Sequence, residues 1–330
     1  MIISKTPYRI SFFGGGTDYP DWYLKHSGEV ISTTIDKYLY LCCRTLPPFY
    51  EYKYRIIWQK IEKVKLKRKI EHKVVKKMID YLKIDQGLDI LYAGDLPAQS
   101  GVGSSSSFVV GLMAALLKLK NVKYNKKILA KKSMYFEQKI MREIVGSQDQ
   151  IASVYGGFQS IYFNKKGNFK ITNLKTDIKY IKNLNKRLVL VYTPRLKASH
   201  HFTSKYVKNF EKKKLYMNMI VNYTKEAKKI IKQKKLDEFG YLLNKAWMAK
   251  KELSPYITKS KIERIYQKGL QSGALGGKLL GAGGGGFILF YIKPNKKKKF
   301  LHSFRKYKVI DFKFSNHGSK ILYNSKFPDR

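Results

Sequence analysis

Cysteine is nearly absent. The only two, Cys42 and Cys43, are adjacent in a strand-like segment, where successive side chains point to opposite faces and ordinary disulfide geometry is out of reach. No disulfide framework follows, and a reducing compartment fits. Long apolar runs are missing too: the longest, Phe108 to Leu117, is far too short to span a bilayer. The N-terminus "MIISKTPYRISFF" lacks the order of charged, long apolar and small residues that marks a signal peptide. These absences place the chain in the cytoplasm, with no membrane partner. Internal repeats and low-complexity linkers are also missing, and the aromatic share of 14% excludes a disordered or fibrous class.

Acid is scarce as well. The 330 residues carry 23 Asp and Glu against 67 Lys and Arg, a formal net charge of +44. Such an excess invites a nucleic-acid or anionic-membrane partner. The lysines are spread over nearly every segment instead of gathering in one stripe, and no nucleic-acid module is recognisable. An anionic small substrate would gain from the same field by steering. Lys296 to Lys299 reads as the solvated start of a helix.

What is present is an alternation of strands and helices. "YRISFF", "EVISTTI", "YLYLCCRTL" and "YEYKYRIIW" are rich in β-branched and aromatic residues and read as separate strands divided by Gly or Pro turns. In "KIEHKVVKKMIDYLKI" the residues Val74, Met78, Ile79 and Leu82 recur at helical spacing, and "GLDILYAG" follows as a strand. Residues 104 to 146 turn helical in two blocks, broken near Asn121 to Asn125. A shorter helix opens at "SQDQ", residues 147 to 150, which has the form of a capping box. "FQSIYF" and "RLVLVYT" close the first half. Beyond residues 185 to 200, lysine-rich helices alternate with the strands "GGFILFYI" and "KVIDFKF", so helices layered on sheets are expected.

Three glycine-rich stretches carry the chemistry. In "DLPAQSGVGSSSS" Gly101 and Gly103 permit tight turns and close backbone approach, while the serines stand where a helix N-terminus leaves N–H groups unpaired. Phosphate suits that place, and a serine hydroxyl can add a ligand to magnesium; a loop with serine caps and no ligand is the competing account. No Walker motif occurs, and the protein-kinase signatures His-Arg-Asp and Asp-Phe-Gly are missing. "GAGGGG" at 281 to 286 has dinucleotide-type spacing but leads into a strand, where a Rossmann site needs a helix. In "PYRISFFGGGTDYPDW" a strand bearing Arg9 ends in glycines before Thr17 and Asp18; that carboxylate can bond sugar hydroxyls or close an Asx turn.

Two acids remain. Glu137 lies mid-helix among Met134, Phe136, Ile140 and Met141, so an inward face competes with a solvated one. Asp149 falls in the first turn of the following helix, where the dipole favours an acid.

Taken in order, "PYRISFFGGGTDY", "DLPAQSGVGSSSS", "EQKIMREIVGSQDQ" and "GGKLLGAGGGGF" make the chain resemble the GHMP kinases, across essentially its whole length. The first motif and "VGSQDQIASVYGGF" are similar to the branch acting on D-glycero-D-manno-heptose 7-phosphate. The resemblance implies an α/β (α+β two-layer) protein of GHMP kinase fold. Its N-terminal ATP-binding domain, residues 1–190, would be ribosomal protein S5 domain 2-like, and its C-terminal domain, residues 191–330, ferredoxin-like. It implies ATP and Mg2+ as cofactors. Gly101, Val102, Gly103, Ser104, Ser105 and Ser106 would wrap the phosphates, and Ser105 and Glu137 would hold the metal. Asp149 would face the acceptor hydroxyl, with Arg9 stabilising the transferring phosphoryl group. Gly15, Gly16, Thr17, Asp18, Gly283, Gly284 and Gly285 would meet the sugar, and Lys197 its existing phosphate.

Gln99 where the family has a small residue, Lys197 where the heptose branch has Arg, and the charge itself depart from the pattern; they bear on the sugar more than on the reaction. The expected reaction is phosphorylation of the C1 hydroxyl of the heptose 7-phosphate. A kinase of free galactose or fucose is the nearest alternative. A non-catalytic polyanion or nucleic-acid binder on an S5-like fold is a rival of another class, and a homodimer is left open.

Overall fold

The computed structural model describes residues 1–174, 177–193, 207, 210–253 and 260–325. Lys197 lies outside them. The chain opens with β1 (Ile2–Phe13), a short helix α1 (Pro20–His26) and β2 (Gly28–Thr45). The stretches "EVISTTI" and "YLYLCCRTL" are therefore one strand of 18 residues, not two. No Gly or Pro separates them, and at the junction the strand only changes neighbour: the Asp36 amide donates to the Lys313 carbonyl at 2.9 Å and the Tyr38 amide to Asp95 Oδ2 at 2.7 Å.

Next come β3 (Tyr54–Ile57), β4 (Ile61–Val64), α2 (Lys73–Tyr81) and β5 (Leu88–Gly94). The helical spacing noted for this region is visible in α2, which buries Val75, Met78 and Ile79. Then follow α3 (Ser104–Leu119), α4 (Lys126–Tyr135), α5 (Gln148–Tyr155), β6 (Phe158–Phe163), β7 (Phe169–Asn173), α6 (Ile178–Lys186) and β8 (Leu188–Thr193). The remainder is α7 (Lys214–Lys232), α8 (Leu236–Glu252), α9 (Ser260–Gln271), β9 (Ala274–Leu279), β10 (Gly286–Ile292), α10 (Pro294–Ser303), β11 (Val309–Ile310), β12 (Phe314–Ser315) and β13 (Lys320–Asn324).

Two sheets organise these elements. The larger has nine strands, with the path β13-β1-β2-β5-β3-β4, with β12 and β6 attached along β2 and β7 beyond β6. Its long strand serves as the axis: β2 pairs with β1 on one edge and successively with β6, β12 and β5 on the other, and β7 joins the sheet through β6 alone. Helix α3 lies across β1 and β2 and is covered by α4 and α5. It is apolar nearly all round because almost every residue after its first turn is buried.

The smaller sheet, β11-β8-β10-β9, is antiparallel, and every residue of its central β10 is buried. The chain enters it at β8 and leaves after β11, so β12 and β13 return to the first sheet. The two layers meet at Phe239 of α8, whose ring stands edge-on to Phe12 at 5.3 Å and Phe13 at 5.1 Å. Such pairs add about 0.5–1.5 kcal/mol each beyond their buried area. Among the described residues no helix is long and apolar enough to cross a membrane.

Candidate active site

The seam between the layers is a cavity of about 950 Å³ that takes in the N-terminus of α3, the end of β1 and the loop between β9 and β10. Gly103, at φ +75, turns the chain into α3. Gly101, at φ +85, lies so close to the second loop that a β-carbon there would stand 2.5 Å from the Leu280 carbonyl oxygen. The contact is tied again by the Phe287 amide, which donates to the Ser100 carbonyl at 3.0 Å. Three serines follow with separate fates. Ser104 Oγ accepts from the Gln99 amide at 2.7 Å, Ser105 is exposed, and Ser106 Oγ donates to Glu137 Oε1 at 3.1 Å. The hydroxyl that meets Glu137 is thus that of Ser106, next to the Ser105 singled out from the sequence.

Glu137 faces inward and is buried. It lies in a π-helical turn, Phe136–Ile140, that continues α4, with the Met141 amide bonded to the Phe136 carbonyl at 2.8 Å. Burial pushes its carboxyl up to about 8, against the pull of hydrogen bonds from Gln150 Nε2 and Ser106. The capping box read at residues 147 to 150 does not form. Ser147 adopts helical angles, φ −95 and ψ −4, and its side chain caps nothing; instead its Oγ accepts from Gln138 Nε2 at 2.9 Å. Gln150 is spent on Glu137. The start of α5 is served by Asp18, whose backbone carbonyl takes the Ser147 amide at 2.8 Å.

Arg9 and Asp149 form a two-pronged pair: Nε reaches Oδ1 at 2.7 Å and Nη2 reaches Oδ2 at 2.6 Å, while Nη1 donates to the Gly101 carbonyl at 2.7 Å. The fork fixes the carboxylate in one orientation. Arg9 is buried, whereas Asp149 keeps 23% of its side chain open. Asp18 is fully buried beside them. Desolvation raises its carboxyl above the ordinary range and Asp149 adds to the effect; the Gly16 amide on Oδ1 at 3.0 Å and the Gln148 side chain on Oδ2 at 3.0 Å work the other way.

Gly15, Gly16, Gly283 and Gly285 also line the cavity. Thr17 does not: it is buried in the turn, its Oγ1 donating to the Gly14 carbonyl at 2.8 Å. Val102 is also buried, and its carbonyl accepts from the Arg9 amide at 3.0 Å.

Several wall residues escaped the motif reading. Lys250 of α8 and Lys278 of β9 are both buried lysines. Lys250 Nζ donates to the Gly281 carbonyl at 2.8 Å and Lys278 Nζ to the Phe12 carbonyl at 2.7 Å. Burial brings Lys250 down to about 8, with Asp18 opposing it, and holds Lys278 well below the ordinary lysine range. At the far end the wall is aromatic: His72 stacks on Phe108 at 5.0 Å, and Trp58 and Tyr92 flank them. Lys250 lies outside every glycine-rich motif, and Lys278 stands within "GGKLLGAGGGGF" in a chain full of lysines, so only its place in the fold marks either.

Family models for the GHMP kinases N terminal domain and the GHMP kinases C terminal match residues 67–157 and 227–309. The chain belongs to the GHMP kinase family, has its fold and is a phosphotransferase. It is 28% identical to the D-glycero-alpha-D-manno-heptose 7-phosphate kinase of Campylobacter jejuni, over 97% of this chain and 98% of the relative. Among solved structures it superposes on a D-glycero-D-manno-heptose 1-phosphate kinase from Bacteriodes thetaiotaomicron with a TM-score of 0.80 and 21% identity, covering 98% of this chain and 99% of the other. The Lactococcus lactis galactokinase complexed with galactose gives a TM-score of 0.73 at 19% identity, over 97% and 95% of the two chains.

Proposed function

We propose that this protein transfers the γ-phosphoryl group of ATP to the anomeric hydroxyl of D-glycero-D-manno-heptose 7-phosphate, giving the 1,7-bisphosphate. The observation that carries the reading is the convergence, in one cavity, of the α3 N-terminus, the Arg9–Asp149 fork and the buried Glu137. The choice of heptose is supported by the near full-length similarity to the Campylobacter jejuni enzyme. The division into an ATP-binding domain, residues 1–190, and a C-terminal domain, 191–330, then falls inside β8, with β12 and β13 lent back to the first sheet.

Phosphoryl transfer asks a protein for positioning and charge stabilisation more than for covalent chemistry. Gly101 to Ser106 offer backbone N–H groups and hydroxyls to the phosphates at the positive end of α3. The aromatic wall of Trp58, His72 and Phe108 suits a flat base. Arg9 meets charge on the group in transit. Asp149, with lone pairs left on both oxygens, orients the acceptor hydroxyl and takes its proton late, since a hydroxyl is far more basic than a carboxylate. Lys250, Lys278 and the glycines of the β9–β10 loop close over the reacting groups.

Magnesium fits the residues present. Glu137 is a carboxyl raised by burial, with a serine hydroxyl at 3.1 Å, and Gln150 Oε1 beside it has no partner among the described residues. No cluster of three or more His, Cys, Asp or Glu able to hold a metal occurs among the described residues. One carboxylate with hydroxyls, completed by substrate phosphates, is the donor set this ion accepts. When bound it would neutralise phosphate charge.

The test is a panel of acceptors, heptose 7-phosphate, free heptose, galactose and fucose, with MgATP, read by nucleotide release and by phosphorus NMR of the product. The expected result is highest kcat/KM for the heptose 7-phosphate and a new anomeric phosphate. A free hexose as the best acceptor would move the substrate; no transfer to any sugar would remove the kinase reading.

A further inference from the structure

The wall of the cavity away from the phosphate end holds more unspent hydrogen-bonding capacity than a buried surface ordinarily tolerates. Ser11 stands two residues along β1 from Arg9, hence on the same face of the strand; its buried hydroxyl has no partner among the described residues. Gln148 donates Nε2 to Asp18 Oδ2 at 3.0 Å, which fixes the amide's orientation and leaves its buried Oε1 without a donor among the described residues. Lys250 places one N–H on the Gly281 carbonyl at 2.8 Å, and an ammonium has three to give. Three elements, β1, α5 and α8, bring these groups to one place.

That place is Gly15. A β-carbon there would lie 3.7 Å from Ser11 Oγ, 3.9 Å from Gln148 Nε2 and 4.0 Å from Lys250 Nζ, with nothing nearer. The backbone does not demand glycine here, because the residue is not among those with positive φ. What the missing side chain leaves is room between the three polar groups.

Their chemistry narrows what can enter. Lys250 only donates, Gln148 Oε1 only accepts, and the Ser11 hydroxyl does either. A phosphate or carboxylate, though drawn by Lys250, would set acceptor oxygens against Gln148 Oε1, which has no proton to give, and against the Asp18 carboxyl. An aliphatic group would leave all three unpaired. A hydroxyl can accept from Lys250 while donating to Gln148, and a second on the adjacent carbon can reach Ser11. We propose that the space over Gly15 receives a vicinal diol of the acceptor ring, with Lys250 as the specificity-determining residue, and that the acceptor's phosphate lies elsewhere. The proposal rests on the kinase reading and names the part of the sugar this wall selects.

Full-length protein, MgATP, heptose 7-phosphate (or the best acceptor of the panel) and its monodeoxy analogues test it. The wild type should lose about 10- to 100-fold in kcat/KM for at least one ring-deoxy analogue. In Lys250→Met the parent sugar should lose a similar factor, mainly through acceptor KM, with MgATP KM unchanged, and the penalty for that same analogue should vanish. Gly15→Ala should melt like the wild type and raise acceptor KM at least about 10-fold. A deoxy penalty undiminished in Lys250→Met, or a Gly15→Ala enzyme that binds sugar normally, overturns the proposal. If Lys250→Met does not fold, Ser11→Ala is judged by the same ratio. A wild type that phosphorylates no sugar overturns the kinase reading and this proposal together, a result distinct from active transfer with an unchanged ratio.

Discussion

At the end of the cavity proposed for the phosphates, Gly101 and Gly103 to Ser106 present backbone and hydroxyl groups from one short stretch; at the proposed acceptor end, side chains arrive singly from β1, α5, α8 and β9. The first arrangement is local. It depends on chain conformation, and most of its chemistry would survive a change of serine for threonine. The second is global, depends on side-chain identity, and exists only once both layers are packed through Phe239. A substrate common to a whole family can be met by local backbone, whereas the partner that differs from member to member must be met by replaceable side chains.

The comparison breaks most visibly at Asp149. Asp149→Asn keeps the shape of the acceptor end and removes its charge, so kcat for sugar phosphorylation should fall by about 10²- to 10⁴-fold with MgATP affinity retained, as measured by single-turnover kinetics beside nucleotide titration. A parent-like rate would remove Asp149 from the reaction.

A smaller effect is expected where conformation matters. Gly101→Ala sets a β-carbon 2.5 Å from the Leu280 carbonyl at φ +85. It should cost about 1–3 kcal/mol of stability in urea denaturation and raise MgATP KM, in contrast to Gly15→Ala, which leaves stability intact. Equal tolerance at both positions would erase the distinction between the two ends.

The smallest effect is one of pH. The Glu137 carboxyl sits at about 8 in the folded chain against an ordinary 4.5. Between those values the folded chain holds a proton that the unfolded chain has released. Its stabilising contribution is therefore complete below about pH 4.5 and is lost as pH rises towards 8. Glu137→Gln has no such proton to lose, so without metal its Tm relative to wild type should climb by several degrees, roughly 2–8 °C, between pH 5 and pH 8 and then level off. A difference independent of pH would show that Glu137 is not held protonated.

The loop and the start of α3 were legible because their signals are contiguous: Gly101, Gly103 and the serines ahead of an apolar helix declare both in a dozen letters. Arg9, Asp18 and Asp149 were found through motif order, since nothing local says that Arg9 would fork Asp149 across 140 positions of chain. Ser11, Gln148, Lys250 and Lys278 were not found. Lys250 is one lysine in a chain rich in them, and only its burial on α8 against Gly281 sets it apart. The fusion of two expected strands into β2 went unread because strand propensity reports residues and not partners. The failed capping box at Ser147 has a related cause: Gln150 has a buried carboxylate to serve, and a tertiary bond displaced a local one.

The π-helical turn at Phe136–Ile140 carries one residue more than an α-helical turn would need. Removing a single residue just after Glu137 would let the segment rewind as α-helix and turn its two sides by about 100° relative to one another. The carboxylate and the loop leading to Asp149 would then face different ways. The aim of this acid is thus stored in a residue count: point substitutions along 138 to 141 should be absorbed where a one-residue deletion is not, and insertions or deletions in this short segment should separate working enzymes from broken ones.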